Sequence, residues 1–181
     1  MYNPITYIYV KRTVRKLRKN RDDALDPKRK LRRSYDKKVG VFPCRTFNFG
    51  TQTVTVPHVD QGNLAQSWCS ITALGSFNPD TGGHLVLWDY GMAVRFPPGS
   101  TILIPSALLI HSNTSIKKNE TRFSIVQYAA GGLFRWVDRG FISEKEWRAT
   151  ASQEQLKEHK KKEKLRWIKA TEMFLKIDEL S

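Results

Sequence analysis

Apolar and polar residues alternate along the middle of the chain, in short segments that are separated by turn-forming residues. The apolar segments are SWCSITALGSF, HLVLWDYG, MAVRF, TILIPSALLI and RFSIVQYAAGG, and they are interrupted by NPDTGG (78–83) and PPGS (97–100). Successive side chains on a strand point to opposite faces, so this alternation indicates strands with one buried face. Several short strands at this spacing predict a β-sandwich or barrel, and the alternation on both sides of PPGS fits a jelly roll.

Both ends of the chain depart from this alternation. VKRTVRKLRKNRDDAL predicts a basic helix that ends before a turn at Asp26–Pro27. Ser143 and Glu146 have the spacing of a capping box, and charged helical residues follow to about Lys176. We expect a helix there to dock on the sheet through four apolar side chains, those of Trp147, Leu165, Ile168 and Leu175. The pattern therefore predicts a basic N-terminal arm over residues 1–45, a β-rich core over 46–142 and a charged helical extension over 143–181.

Charge is unevenly distributed along the 181 residues. The net charge is +14, and residues 1–45 hold 15 Lys and Arg against 4 Asp and Glu. Such basic arms commonly bind nucleic acid or direct nuclear import, and PKRKLRR (27–33) is typical of an import signal. We therefore expect a nuclear protein with DNA as a partner. The same composition is also that of a solvated, partly disordered tail.

Two absences narrow the class of protein. No run approaches the ~20 apolar residues of a membrane span, so no membrane partner is expected. The only cysteines are Cys44 and Cys69, which form no disulfide framework and no CxxC pair and so fit a reducing compartment. No protein partner can be deduced from the sequence.

The segment VTVPHVDQGN ends in a histidine and a carboxylate. Alternate residues of a strand share one face, here those at positions 54, 56, 58 and 60. Two valines facing the core would then be followed by His58 and Asp60 facing the same way. Buried polar groups need partners, and a metal ion satisfies both. His111, which follows the apolar segment TILIPSALLI, is the candidate for a third ligand.

Two histidines and one carboxylate form the facial triad that is typical of non-haem Fe(II) oxygenases. Three coordination positions stay open for O2 and a bidentate co-substrate, which in such oxygenases is often 2-oxoglutarate. The far carboxylate of 2-oxoglutarate needs a buried cation. Arg122 lies on the same face of ETRFSIVQY as Ser124, and its planar guanidinium binds a carboxylate bidentately. Ser124 would add a hydroxyl to the same carboxylate.

Each of these residues also has a structural interpretation. His58 would be a hydrogen-bonded core histidine, Asp60 would cap the following segment, and Arg122 would pair with Glu120 at the surface. Only their combination on an all-β background favours the metal site. The other two histidines of the chain are weaker candidates, because one opens a strand after a Gly-Gly turn (His84) and one lies in the charged helix (His159).

Three stretches of the chain resemble the TET/JBP-like dioxygenases of mushroom-forming fungi, proteins that are often found with transposons. These stretches are HVDQGNLAQSWCSITALG, GGHLVLWDYGMAVRFPPGSTILIPSALLIHSN and ETRFSIVQYAAGGLFRWVDRGF, within about residues 47–142. The resemblance implies a mainly β fold with flanking helices, a double-stranded β-helix of the jelly-roll, cupin-like type. It also implies an Fe(II)- and 2-oxoglutarate-dependent enzyme that uses O2 to hydroxylate the methyl group of a flipped DNA base, 5-methylcytosine foremost.

The resemblance assigns roles to individual residues. The iron ligands match His58, Asp60 and His111, and the Arg-x-Ser that binds 2-oxoglutarate matches Arg122 and Ser124.

Two further assignments rest on spacing. Asn63 falls where TET enzymes contact the flipped cytosine, and Tyr128 falls where an aromatic ring stacks on that base; they also fit a turn residue and a core aromatic. The histidine that TET enzymes carry two positions later is Ala130 here, and a basic arm replaces a fuller N-terminal region. Two alternatives therefore stay open: a non-catalytic, degenerate, transposon-associated DNA-binding protein, and a 2-oxoglutarate oxygenase acting on a non-DNA substrate.

Overall fold

The computed structural model describes residues 4–22 and 40–174. Its helices are α1 Pro4–Asp22, α2 Gly131–Asp138, α3 Glu144–Thr150 and α4 Gln153–Thr171. Its strands are β1 Cys44–Asn48, β2 Thr55–His58, β3 Cys69–Ser76, β4 Leu85–Leu87, β5 Met92–Val94, β6 Thr101–Ile104, β7 His111–Asn113 and β8 Thr121–Tyr128, with a 3-10 turn over Trp88–Tyr90. The predicted turn at Asp26–Pro27, the import-like segment 27–33 and Leu175 lie outside the described residues.

The eight strands form two four-stranded antiparallel sheets, in the orders β1-β8-β3-β6 and β2-β7-β4-β5. Pairing proceeds from both ends inwards: β1 pairs with β8, β2 with β7, β3 with β6 and β4 with β5. The first four strands and the last four therefore wind together as one antiparallel pair that turns back between β4 and β5. This arrangement is a double-stranded β-helix, so the predicted fold class is confirmed.

The β-rich unit spans Phe42–Ala130 and has a small apolar core. The buried cluster at its centre consists of Ala73, Phe77, Leu85, Phe96 and Ile104. Polar side chains are also buried in this unit, and on β7 and β8 they are His111, Ser112, Asn113, Arg122 and Ser124. Burying a polar group is unfavourable unless it has a partner. The buried polar side chains of β7 and β8 therefore indicate that a ligand binds beside these two strands.

The second compact unit comprises Met1–Val41 and Gly131–Ser181, and the described part of it holds all four helices. Helix α1 buries Thr6, Val10 and Thr13, which share one helical face, and the ring of Tyr9 lies 5.3 Å from that of Phe134 on α2. No helix that the structure describes is long and apolar enough to cross a bilayer.

The C-terminal helical region begins where the sequence predicts, but it consists of two helices, α3 and α4, instead of one. The capping box of Ser143 and Glu146 is present at the start of α3. A second capping box, formed by Ser152 and Gln155, starts α4. The expected burial of the apolar face is wrong for Leu165 and Ile168, which are 38% and 52% exposed.

The segment TILIPSALLI is a strand only over its first half. After Ile104 the chain enters a turn, in which the amides of Leu108 and Leu109 donate to the carbonyl oxygen of Pro105. Proline cannot donate to a strand ladder, so β6 ends before it. His111 therefore opens β7 instead of closing β6.

Candidate metal centre and ligand cavity

The pairing of β2 with β7 brings the three candidate ligands together. His58 ends β2 and lies opposite His111 at the start of β7, and their ring centroids are 4.4 Å apart. Asp60 follows two residues after His58, and its Oδ1 lies 3.5 Å from His58 Nε2. Ligand atoms of the three residues all lie within 4.8 Å of one another. This spacing fits one metal ion with two imidazole ligands and one carboxylate ligand.

Both imidazoles are oriented by the main chain. His58 Nδ1 lies 2.8 Å from the carbonyl oxygen of Val56, and His111 Nδ1 lies 2.9 Å from that of Leu109. Because a carbonyl oxygen only accepts, each Nδ1 is the nitrogen that donates a proton. Each Nε2 is thereby left to bind a metal, which is how a second partner fixes the tautomer of a metal-ligating histidine.

The valines before His58 do not face the core, contrary to the prediction. Val54 and Val56 are 56% and 77% exposed. The register of β2 against β7 shifts between Thr55 and His58, so that an extra residue of β2 interrupts the ladder. An extra residue reverses the alternation of faces. Thr55 and His58 consequently both border the cavity, although three positions separate them.

A cavity of ≈ 690 Å³ lies beside the three ligands, and all the residues that line it belong to the β-rich unit. Apolar wall is provided by Ile71, Leu85 and Val126. Polar wall is provided by Arg122 and Ser124, which alternate on β8 and are 3% and 5% exposed. Ligand pockets typically combine a mainly apolar wall with a few placed polar groups, as here.

Arg122 is a buried cation with few protein partners. Its Nη1 donates to the carbonyl oxygen of Thr53 at 3.1 Å, and its Nε is buried with no hydrogen-bond partner among the described residues. Desolvation lowers the pKa of the guanidinium, yet arginine keeps its proton in proteins. A desolvated cation is stabilised by an anion, so this end of the cavity fits a carboxylate.

The end of the cavity at Arg122 is held in place by three residues that the sequence did not identify: Asn48, Thr53 and Asn113. The carbonyl oxygen of Thr53 also accepts from Asn113 Nδ2 at 3.2 Å, and Asn113 Oδ1 accepts from the amide of Thr55 at 3.0 Å. Asn48 Nδ2 donates to Ser124 Oγ at 2.8 Å. The three residues lie on β1, before β2 and on β7, so only the pairing of distant strands relates them to Arg122.

Asn63 and Tyr128 both line the cavity. Asn63 Nδ2 donates to Asp60 Oδ2 and to Ser106 Oγ, each at 3.1 Å. The Tyr128 hydroxyl accepts from Thr46 Oγ1 at 3.4 Å. Contact of either residue with a base stays a prediction.

The remaining positions that the sequence singled out have other surroundings. Ala130, the position at which the resemblance to TET enzymes would imply a histidine, pairs with Asn63 in an isolated antiparallel β-bridge. His84 and His159 are not part of the triad. His84 Nδ1 lies 3.4 Å from Thr114 Oγ1, and the His159 ring packs on Trp147 at 4.6 Å.

Comparison with known proteins gives structural likenesses at low sequence identity. NgTET1 in complex with 5mC DNA is 19% identical with a TM-score of 0.45, over 72% of this chain and 49% of that chain. The viral collagen prolyl hydroxylase vCPH from Paramecium bursaria Chlorella virus-1, in its 2OG complex, is 12% identical with a TM-score of 0.35, over 49% of this chain and 63% of that chain. The chain thus spans about half the length of the first structure. Neither a protein-family model nor a curated protein matches the sequence.

Proposed function

We propose that the chain is an Fe(II)- and 2-oxoglutarate-dependent dioxygenase that hydroxylates the methyl group of a methylated DNA base, 5-methylcytosine. The proposal is carried by one observation: a His-Asp-His triad borders the same cavity as a buried guanidinium that has no anionic partner among the described residues. A metal site by itself is compatible with many classes of protein. A metal site beside a buried cation fits a co-substrate that chelates the metal and ends in a second carboxylate.

The residues of the triad fit ferrous iron. His58 and His111 would bind the iron through their Nε2 atoms and Asp60 would bind it through Oδ1, and all three residues line the cavity. When bound, iron and 2-oxoglutarate supply the O2-dependent oxidation of a C–H bond. The chain itself would bind and orient the iron, the co-substrate and the substrate, and it would exclude water from the site.

Arg122 and Ser124 would hold the far carboxylate of 2-oxoglutarate. The guanidinium offers Nε, which is buried and unused among the described residues. Ser124 Oγ accepts from Asn48 and therefore has its own proton free to donate. Ile71, Leu85 and Val126 would exclude water from the space between this carboxylate and the metal.

DNA is proposed as the substrate for two reasons. The resemblance to TET/JBP-like enzymes implies that Asn63 and Tyr128 contact the base, and both line the cavity. The net charge of +14 favours a polyanionic partner. A methyl group inside a duplex cannot reach such a cavity, so the base would be flipped out at a cost of a few kcal/mol of stacking. The import-like segment at 27–33 supports the nucleus as the place of action.

The metal and co-substrate part of the proposal is tested by anaerobic titration of the purified chain with Fe(II) and 2-oxoglutarate. We expect a visible charge-transfer absorption band, because chelation of iron by the 2-oxo acid produces one. His58→Ala and His111→Ala should abolish the band. His84→Ala, which removes a histidine that is not part of the triad, should retain it. Circular dichroism of each variant separates loss of the site from loss of the fold.

The substrate part is tested separately, by mass spectrometry of methylated oligonucleotides after aerobic incubation. Hydroxymethylated base formed by the wild type and not by His58→Ala supports the proposal. A charge-transfer band without any oxidised base would favour the oxygenase with a non-DNA substrate. DNA binding without the band would favour the non-catalytic DNA-binding protein.

A further inference from the structure

The carboxylate of Asp60 is held by a side chain that is not a candidate ligand. Asn63 Nδ2 donates to Asp60 Oδ2 at 3.1 Å, whereas the other oxygen, Oδ1, faces His58 Nε2 at 3.5 Å. A carboxylate only accepts, so the amide nitrogen of Asn63 must be the atom that faces it. The two oxygens of Asp60 therefore have different partners, one toward Asn63 and one toward the triad.

Asn63 is itself fixed by residues from other parts of the β-rich unit. Its second amide hydrogen goes to Ser106 Oγ at 3.1 Å, and Ser106 is 1% exposed. Main-chain hydrogen bonds link the same three residues. The amide of Asp60 donates to the carbonyl oxygen of Ser106, and the amide of Asn63 donates to the carbonyl oxygen of Asp60, both at 2.9 Å. The Ser106 side chain also hydrogen-bonds the thiol of Cys69 on β3.

We propose that Asn63, which is held by its hydrogen bond to Ser106, is a positioning residue. It orients the carboxylate of Asp60 so that Asp60 binds the metal through one oxygen only. The inference rests on the metal site proposed above. Because Oδ2 accepts from Asn63 and Oδ1 lies on the side of His58, Oδ1 is the oxygen that would bind the metal. Both amide hydrogens of Asn63 are used within the protein, so any contact between Asn63 and a base is made through the acceptor Oδ1.

The test measures metal binding alone, without 2-oxoglutarate, DNA or turnover. The full chain is titrated with Co(II) in place of Fe(II), and both the affinity and the visible d–d spectrum are recorded. Asn63→Ala should weaken Co(II) binding about 10- to 100-fold, as loss of an outer partner of a metal ligand does. It should also change the shape or intensity of the spectrum, because Asp60 becomes free to rotate or to bind through both oxygens. Ser106→Ala should give a smaller loss in the same direction.

Asn63→Ser keeps a short donor and should recover part of the Co(II) affinity that Asn63→Ala loses. Asn78→Ala is the matched control, because it removes the amide of an exposed turn residue that hydrogen-bonds the amide of Asp80. It should leave affinity and spectrum unchanged. Thermal unfolding of the metal-free variants reports whether each chain folds.

Unchanged Co(II) affinity and spectrum in a folded Asn63→Ala chain would overturn the inference. An equal loss in Asn78→Ala would overturn it too. Failure of the wild-type chain to bind Co(II) would instead remove the proposed metal site itself, so the two failures are distinguishable.

Discussion

Arg122 donates Nη1 to the carbonyl oxygen of Thr53 and has its Nε buried without a hydrogen-bond partner among the described residues. Side chains of this type are seldom buried without a paired charge. The environment of this single residue therefore indicates an anionic ligand more directly than its position in the sequence does.

Replacing Arg122 should weaken 2-oxoglutarate binding. Arg122→Ala removes hydrogen bonds to a charged group, each worth ~1.5–3 kcal/mol, so the dissociation constant should rise about 10- to 100-fold. Isothermal titration of the Fe(II)-loaded or Mn(II)-loaded chain measures it. Arg122→Lys keeps the charge but loses the fork and should recover only part of the affinity. Arg95→Ala, which removes an exposed arginine paired with Asp80, should bind as the wild type does; equal binding by Arg122→Ala would contradict the assignment.

Cys69 is the second residue whose surroundings predict a measurable property. It is 1% exposed, and burial raises its pKa from 9.0 to about 12. At neutral pH the thiol is therefore protonated and should react with iodoacetamide far more slowly than the half-buried Cys44. Mass spectrometry after timed alkylation checks the order, and both cysteines should react at the same rate in guanidinium chloride.

The raised pKa of Cys69 also predicts the sign of a pH dependence. In the unfolded chain the thiol ionises near pH 9.0, whereas in the folded chain it stays protonated to about pH 12. The contribution to stability is fully present below pH 9 and is lost as the pH rises from 9 towards 12. Cys69→Ser should flatten this part of the stability profile, and an unchanged slope would contradict the assignment.

At the scale of elements, the turn between β3 and β4 depends on a glycine, Gly83, which the sequence shows only as part of a turn-forming segment. Gly83 has φ +72°, and a Cβ added there would lie 2.5 Å from the ring of Phe77, a member of the buried core cluster. The left-handed backbone and the close ring are separate reasons for glycine.

Gly83→Ala should lower the free energy of unfolding by about 2–4 kcal/mol, the sum of backbone strain of ~1 kcal/mol and overpacking of ~1–3 kcal/mol. Urea denaturation of the full chain, followed by tryptophan fluorescence, measures it. Gly91→Ala is the matched control, because Gly91 has φ +58° but, its own chain neighbours aside, no described residue has an atom within 4 Å of an added Cβ. The control should lose only the backbone part, and equal losses would show that the proximity of Phe77 contributes nothing.

Element boundaries were the least predictable feature of the chain. The period of two indicates strands correctly, and the capping box of Ser143 and Glu146 is visible in the sequence because its residues are local. The irregularity in β2 is not visible there, because it exists only relative to β7. For the same reason the sequence predicts buried valines at positions that the structure leaves exposed.

At the scale of the whole molecule, the clearest feature of the sequence is its net positive charge of +14. Helix α1 carries a basic surface on which Arg12, Arg15 and Lys19 are exposed. These residues are spaced three and four apart and so share one face of the helix. Such a face fits the phosphate backbone of DNA, and this binding would be independent of sequence.

Changing Arg12, Arg15 and Lys19 together to glutamine should weaken DNA binding most at low salt. The slope of log K against log salt should become shallower by about 2–3, because each phosphate that is no longer neutralised reduces the slope by roughly 0.9. Fluorescence anisotropy with a labelled duplex at several salt concentrations measures this slope.

The matched control changes three exposed basic residues that already pair with an acid: Arg95, Arg148 and Lys162. It removes the same number of charges and should alter the slope less. If both triple variants changed the slope equally, net charge rather than the face of α1 would govern binding.

The sequence alone determined the β-rich core, the basic arm and the individual candidates His58, Asp60, His111, Arg122 and Ser124. It did so because alternation, charge and residue type are local properties that can be counted along the chain. The tertiary structure decided that His58 and His111 face each other, since strand pairing joins residues far apart in sequence. It also decided that Arg122 is desolvated, with no anion beside it in the part of the chain that the structure describes, and that Asn63 holds Asp60. Burial and hydrogen bonding depend on neighbours that only the folded β-helix supplies.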